Sequence, residues 1–333
     1  MILHARTLEL LDRRGLAALR RAVRPVVTAP LGRIGAGLSP FPFLLVLSQD
    51  RTESLLRGAL AAHGVAVEWN TTLTSLTQDA TGATATLQGA TGPPAAVQVA
   101  SVAGCDGARS AVRHALGITF PGGTCEQLFF VADTRAEGLA PDPEAGRVLR
   151  AVLGARTFYA LFPVPQGRTR VIGPLPDGLP PETATFADVR PALERAGHLR
   201  VREVNWFSTY RVHHRVAAHF RQGRAFLVDD AGHVHSPAGG QGINTGLGDA
   251  VNRGWKLAAA RRHPASAALP GTYEAERRPF AQRLVATTDR AFRAATRASG
   301  WAGFVRTRRV PLLLLPLVLR LPWARRRLFL ARS

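Results

Sequence analysis

The sequence predicts an α/β fold with an inserted antiparallel sheet and a helical C-terminal region. Two apolar runs each end in an acid and a glycine and lead into a helical pattern, which is typical of strand-to-helix turns in an α/β sheet. Residues 118–215, between these turns, carry short apolar runs broken by Pro and Gly, which favours an antiparallel sheet. From Tyr273 onward the pattern is helical.

Composition and targeting signals narrow the class of protein. The 333 residues are 46% hydrophobic and 20% charged, which excludes a mainly disordered chain. Two cysteines, Cys105 and Cys125, without a Cys-x-x-Cys spacing exclude a disulfide scaffold and a thiolate zinc site. Acids at positions 9 and 12 argue against a secretory signal, and prolines interrupt the apolar stretch 310–323. We therefore expect a cytoplasmic protein without a transmembrane segment.

The net charge of +20 raises the alternative of a nucleic-acid binder. Every basic residue except Lys256 is an arginine, and the chain is also rich in Ala, Gly and Pro, which indicates codon bias. The arginines are spread along the chain with few aromatic residues between them to stack on bases. A cluster of arginines after Asp289 is typical of a solvated helical face. We expect no nucleic-acid partner.

The N-terminal third shows helices and strands in turn. Apolar residues among charges predict an amphipathic helix over residues 3–15, and helical spacing over 52–63 ends at Gly64. Short β-type runs separated by turn residues then predict strands at 65–69, 84–88 and 97–102.

The most informative segment is the turn after the predicted strand 225–228. This strand delivers Asp229 and Asp230 to its C-terminal end, where α/β sheets place ligands. A carboxylate there can accept hydrogen bonds from a ribose or ribityl diol. Glycines allow the backbone to approach a ligand closely, and a following helix offers free N–H groups to an anion; they are Gly239, Gly240 and Gly242. Taken alone, this loop fits a merely tight structural turn equally well.

A second turn of the same kind decides between these two interpretations. Residues 103–113 contain Asp106 and Gly107 between a predicted strand and a predicted helix. Two acid-bearing turns about 120 residues apart are hard to produce by chance. As a pair they resemble the turns of the flavoprotein aromatic hydroxylases, the single-component FAD monooxygenases similar to para-hydroxybenzoate hydroxylase.

The resemblance implies three regions. The first is a Rossmann-like FAD-binding domain at residues 1–117 and 216–265. The second is a substrate-binding sheet domain at 118–215, and the third is a set of C-terminal helices at 266–333. It also implies hydroxylation of a small aromatic, phenolic substrate with NAD(P)H and O₂.

The resemblance further implies which residues hold the cofactor. Asp230 would bind the ribose, and Asp106 with Gly107 would serve both FAD and the nicotinamide donor. Arg6 and Gln49 would contact FAD as well. The flavin would be lined by the loop residues Pro237, Gly239, Gly240, Gln241, Gly242, Ile243 and Asn244. No general base and no metal ligand is predicted.

Departures from the family pattern leave an alternative open. No Gly-x-Gly-x-x-Gly turn stands before the first helix, so we expect the first βαβ unit to be missing. The alternative is therefore an N-terminally truncated, catalytically inactive flavoprotein remnant. Asp229 stands where the family has glycine, and Arg253 with Gly254 replaces an apolar pair.

Overall fold

A computed structural model describes residues 2–13, 39–41, 45–46, 49–138, 150–153, 158–164, 167–236 and 240–296. The chain divides into two compact units. The first comprises residues 1–52, 124–212 and 291–333, and the second comprises 53–123 and 213–290. Within the described ranges, no helix combines the length and the apolar character needed to cross a membrane.

Single helices separate runs of consecutive strands along most of the chain, and the last two elements are helices. The described strands are β1 Ile2–Leu3, β2 Leu45–Val46, β3 Thr72–Gln78, β4 Ala83–Gln88, β5 Ala95–Val99, β6 Val102–Gly104, β7 Gly122–Glu137, β8 Arg150–Leu153, β9 Phe158–Val164, β10 Arg168–Pro174, β11 Arg200–Val216, β12 Arg221–Gln222, β13 Ala225–Leu227 and β14 His233–Val234. The described α-helices are α1 Ala5–Asp12, α2 Gln49–Ala62, α3 Ala111–Ala115, α4 Phe186–Gly197, α5 Gly242–Arg262 and α6 Thr272–Thr296.

The second unit contains a small sheet in the order β12-β13-β6, in which β13 and β6 run parallel. Strand β13 is completely buried, because Ala225, Phe226 and Leu227 pack among apolar side chains of this unit. The hydroxyl of Tyr273 in α6 donates to the Leu227 carbonyl at 2.8 Å, which fastens that helix to the end of β13. A separate antiparallel meander, β3-β4-β5, belongs to the same unit.

The first unit is built on an antiparallel sheet in which β11, β7, β10, β9 and β8 are neighbours in that order. Helix α4 packs on one face through Phe186, Val189 and Leu193, which join a buried cluster with Phe130 and Leu161. In the second unit, Arg215 and Val216 pair with β14.

Three sequence predictions about elements are wrong in detail. Residues 65–69 form no strand, and Val65, Val67 and Trp69 are 50%, 43% and 64% exposed. Helix α4 was missed inside the sheet region; it is favoured by a capping box in which the Thr185 N–H donates to Asp188 Oδ2 at 2.8 Å. Helix α5 begins at Gly242, whereas the sequence predicts a helix from Leu247 to Ala260.

Candidate cofactor site

The two acid-bearing turns leave neighbouring parallel strands. Leu227 is the register partner of Gly104, and the Val228 N–H donates to the Gly104 carbonyl at 2.9 Å. Because parallel strands end at the same edge of a sheet, the turns carrying Asp106 and Asp230 leave the second unit at one edge. The two carboxylates therefore share one side of a single unit.

The first turn is shaped by a helix cap. Asp106 Oδ2 accepts the N–H of Val112 at 3.0 Å, and Ser110 Oγ accepts the N–H of Arg113 at 2.9 Å. Both bonds satisfy N–H groups at the start of α3 that have no partner within the helix. Gly107 has φ +76°, a conformation that glycine adopts without strain. Asp106 remains an exposed residue, so it caps α3 and faces solvent at once.

Arg113 joins the first turn to the second. Its side chain is almost completely buried, with 3% exposure. Its guanidinium donates to the Ala108 carbonyl at 2.8 Å and to the Ala231 carbonyl at 2.9 Å. These carbonyls belong to the Asp106 turn and the Asp230 turn respectively, so one side chain fixes both.

We expect Arg113→Met to loosen both turns. The substitution keeps an apolar stem of similar length but leaves the two carbonyls without their donor, at a cost of about 1–3 kcal/mol for each one that stays buried. Urea unfolding of the apoprotein should show the midpoint falling. Arg109→Met, at an exposed position of the same turn, is the matched control and should leave the midpoint unchanged. Equal midpoints for both variants would show that Arg113 does not join the turns.

The second turn carries two acids in different surroundings. Residues Asp229–Ala231 form a short 3₁₀ turn directly after β13. Asp230 is exposed. Partial desolvation raises the pKa of its carboxyl, while the nearby His233 and His235 act in the opposite direction. Asp229 points inward, and its backbone has φ +57°. Asp230 is thus the acid of this turn that is accessible to a ligand.

Helix α5 begins beside this turn and presents its N-terminus without an acidic residue. All residues of its first turn are described, and none is acidic. Gly240 has φ +64°, and its carbonyl accepts the side-chain amide N–H of Asn244 at 2.9 Å. The N-cap residue Gln241 makes no side-chain cap. The backbone N–H groups of Gly242 and Ile243 therefore remain available to an anion at the positive end of a 21-residue helix. Pro237 and Gly239 lie outside the described residues.

A buried ionic cluster holds α5, α6 and the second turn together. Asp249 of α5 is 1% exposed and accepts from Arg277 Nε of α6. Its other oxygen lies 2.8 Å from His233 Nε2 and accepts the Asp229 backbone N–H at 3.3 Å. The sequence does not predict this cluster, because its bonded partners lie 16, 20 and 28 positions apart. The preference of a buried acid for a partner was the signal that could have indicated it.

Arg6 and Gln49 belong to the first unit and are described within it. Arg6 is exposed on α1, with its Nη1 3.1 Å from Glu9 Oε2. Gln49 is exposed at the first position of α2. Their predicted contacts with FAD stay predictions.

The residues of the second unit fit a flavin dinucleotide. An exposed carboxylate at a strand end suits a diol, and an N-terminus without its own acid suits a phosphate or an anionic ring. Gly107 and Gly240 both have positive φ, a backbone conformation that glycine adopts without strain. Among the described residues, no group of three His, Cys, Asp or Glu side chains could hold a metal ion.

Comparison with known proteins decides the family. Residues 1–288 match the family described as FAD binding domain (FAD_binding_3). The chain belongs to this family. FAD is accordingly its cofactor, and the flavoprotein monooxygenase resemblance is confirmed.

Relatives in this family are monooxygenases. The chain is 40% identical over 307 residues to 12-dehydrotetracycline 5-monooxygenase/anhydrotetracycline 6-monooxygenase of Streptomyces rimosus, covering 86% of this chain and 60% of that protein. It is 33% identical over 304 residues to pentachlorophenol 4-monooxygenase of Sphingobium chlorophenolicum, covering 86% of this chain and 56% of that protein. It thus spans little more than half the length of these relatives.

A solved structure of the family has the same fold. The OxyS anhydrotetracycline hydroxylase from Streptomyces rimosus superposes with a TM-score of 0.77 at 33% identity, covering 99% of this chain and 66% of that chain. The predicted fold class, a mixed α/β chain with an antiparallel sheet and C-terminal helices, is confirmed by this agreement.

Proposed function

We propose that this chain is the FAD-binding and substrate-binding part of an aromatic-ring monooxygenase that uses NAD(P)H and O₂. The observation that carries the proposal is the pair of acid turns at one sheet edge, beside the N-terminus of α5. The tetracycline and pentachlorophenol monooxygenases among the relatives support an aromatic, phenolic substrate. The balanced reaction is Ar–H + O₂ + NAD(P)H + H⁺ giving Ar–OH + NAD(P)⁺ + H₂O.

The chain's own residues bind and orient the cofactor. Asp230 would accept hydrogen bonds from the ribityl or ribose hydroxyls, and the loop Gly239–Asn244 would line the flavin. The N–H groups at the start of α5 would stabilise negative charge on the cofactor. Asp106 and Gly107 would face FAD and the nicotinamide donor. When bound at these residues, FAD would supply the redox chemistry that links the nicotinamide donor to O₂.

The antiparallel sheet of the first unit is proposed to take the substrate. Helix α4 covers one face. On the strands, Arg170 pairs with Asp133 through two bonds of 2.7 and 2.8 Å, and its guanidinium lies 5.9 Å from the ring of Trp206. Trp206 is 49% exposed, so its ring is available to stack on an aromatic molecule.

The test is reconstitution followed by turnover. The purified chain should turn yellow with added FAD, with absorption at roughly 370 and 450 nm that is retained on desalting. NADH and NADPH oxidation should then rise when a phenol is added, with anhydrotetracycline and pentachlorophenol as first candidates, and the product should gain one oxygen by mass spectrometry. A chain that stays colourless would contradict the proposal and support the remnant alternative.

A further inference from the structure

Asp229 has a backbone conformation that suits glycine better than aspartate. Its φ of +57° lies in the left-handed region, which non-glycine residues enter rarely, with Asp and Asn the most tolerant. Of the non-glycine residues that the structure describes, only Asn70 and His198 share a positive φ. An aspartate with this unfavourable conformation directly beside Asp230 indicates that its side chain has a role in the second turn.

The side chain of Asp229 fills space that helix α5 leaves open at Gly246. A Cβ on Gly246 would lie 2.3 Å from the carboxyl carbon of Asp229, far below any real contact. The carboxyl group accepts the backbone N–H of Asp230. Its Oδ1 atom is buried and has no hydrogen-bond partner in the described part of the chain. The second turn of α5 thus covers a carboxyl group of which one oxygen has no hydrogen-bond partner in the described part of the chain.

The groups that face Asp229 are mostly acidic. Asp230 lies on the same turn, Asp249 comes from α5 and Cys105 from the end of β6. The opposing groups are His233 of β14 and, bound to Asp249, Arg277 of α6. Burial first, and then the charge of Asp230, raise the pKa of Asp229 to about 6. The charge of Asp229 therefore changes as the pH passes through about 6.

We propose that Asp229 makes the affinity of this site for FAD dependent on pH, tight when its carboxyl is protonated and weaker when it is ionised. This inference rests on the proposed FAD site. An ionised Asp229 adds a negative charge beside Asp230 and close to the positive end of α5, which an anionic diphosphate would otherwise use. A protonated Asp229 is neutral and does not weaken the attraction between the positive end of α5 and the diphosphate. Proton binding and FAD binding are thus coupled.

The direct test is the dissociation constant for FAD across pH. Flavin fluorescence titrations between about pH 5 and about pH 8 should show wild-type affinity falling by about tenfold. Asp229→Asn, which keeps the shape and tolerates the left-handed conformation, should bind FAD with a dependence on pH below about twofold. Asp229→Gly removes the side chain and can adopt the left-handed backbone conformation without strain. Its affinity for FAD should vary with pH as little as that of Asp229→Asn.

A second readout needs no cofactor. A carboxyl whose pKa rises from 3.8 in the unfolded chain to about 6 in the folded one favours the folded state while protonated. Its contribution to stability is therefore complete below pH 3.8 and is lost as the pH rises through about 6. Urea midpoints of the apoprotein should fall across this window in the wild type, and this fall should be smaller in Asp229→Asn.

The outcomes separate this inference from the proposed function. FAD binding with equal pH dependence in wild type and Asp229→Asn would overturn the role of Asp229 and leave the cofactor site intact. No FAD binding at any pH, in any variant, would overturn both proposals. A flat Asp229→Asn profile beside a steep wild-type profile supports both.

Discussion

Replacing Asp249 with alanine is expected to destabilise the second unit by about 3–5 kcal/mol, since it removes one partner of a buried ion pair. Asp249 is 1% exposed and Arg277 has 16% side-chain exposure, so the guanidinium would be left largely out of water without its carboxylate. The His233 ring and the Asp229 N–H would also lose their acceptor. Urea unfolding at constant pH measures this loss.

An exposed ion pair provides the matched control. Arg202 Nε lies 2.7 Å from Glu137 Oε2, with 52% and 60% side-chain exposure. Exposed pairs contribute between zero and about 1 kcal/mol, so Glu137→Ala should barely move the urea midpoint. A loss below about 1 kcal/mol for Asp249→Ala would mean that the cluster does not hold the turn.

Replacing Asp230 with alanine is expected to weaken FAD binding by about 100-fold or more without lowering stability. A carboxylate that binds hydroxyls contributes about 1.5–3 kcal/mol for each hydrogen bond to a charged group, and a diol offers two. Asp230 is exposed in the apoprotein, so its removal creates no buried unpaired group. Titration with FAD, monitored by flavin fluorescence, measures the loss.

Asp230→Asn separates charge from shape in this position. The amide keeps one acceptor oxygen but loses the negative charge, so its FAD affinity should fall between those of wild type and Asp230→Ala. Neither variant should unfold at a lower urea concentration than the wild type, because desolvation already disfavours the ionised Asp230 in the folded chain. Affinity within about threefold of wild type for Asp230→Ala would mean that the ribose acid lies elsewhere.

The sequence predicts local features of this fold well, because local patterns encode them. The strand ending at Leu227, the acids after it and the glycines before α5 are adjacent in sequence, so their geometry follows from strand, turn and helix preferences. The parallel alignment of Leu227 with Gly104, by contrast, is seen only in the structure. The family resemblance drawn from these turns is confirmed by the comparison.

Features that depend on distant pairing could not be predicted in the same way. The Arg113 guanidinium reaches a carbonyl 118 positions away, and no local period indicates that contact. The segment 65–69 has the alternation of a strand, yet a strand forms only where a neighbour supplies hydrogen bonds. In α4, Pro191 obscured a helix that its buried side chains stabilise.

The convergence of both acid turns on one cofactor is tested most directly by two measurements: how many FAD molecules bind per chain, and whether each acid contributes to that affinity. Calorimetric titration of the wild type should give one FAD per chain, and Asp106→Ala and Asp230→Ala should each weaken that same event. Two unrelated binding events, or an Asp106→Ala variant that folds normally and binds FAD as tightly as wild type, would contradict a shared site.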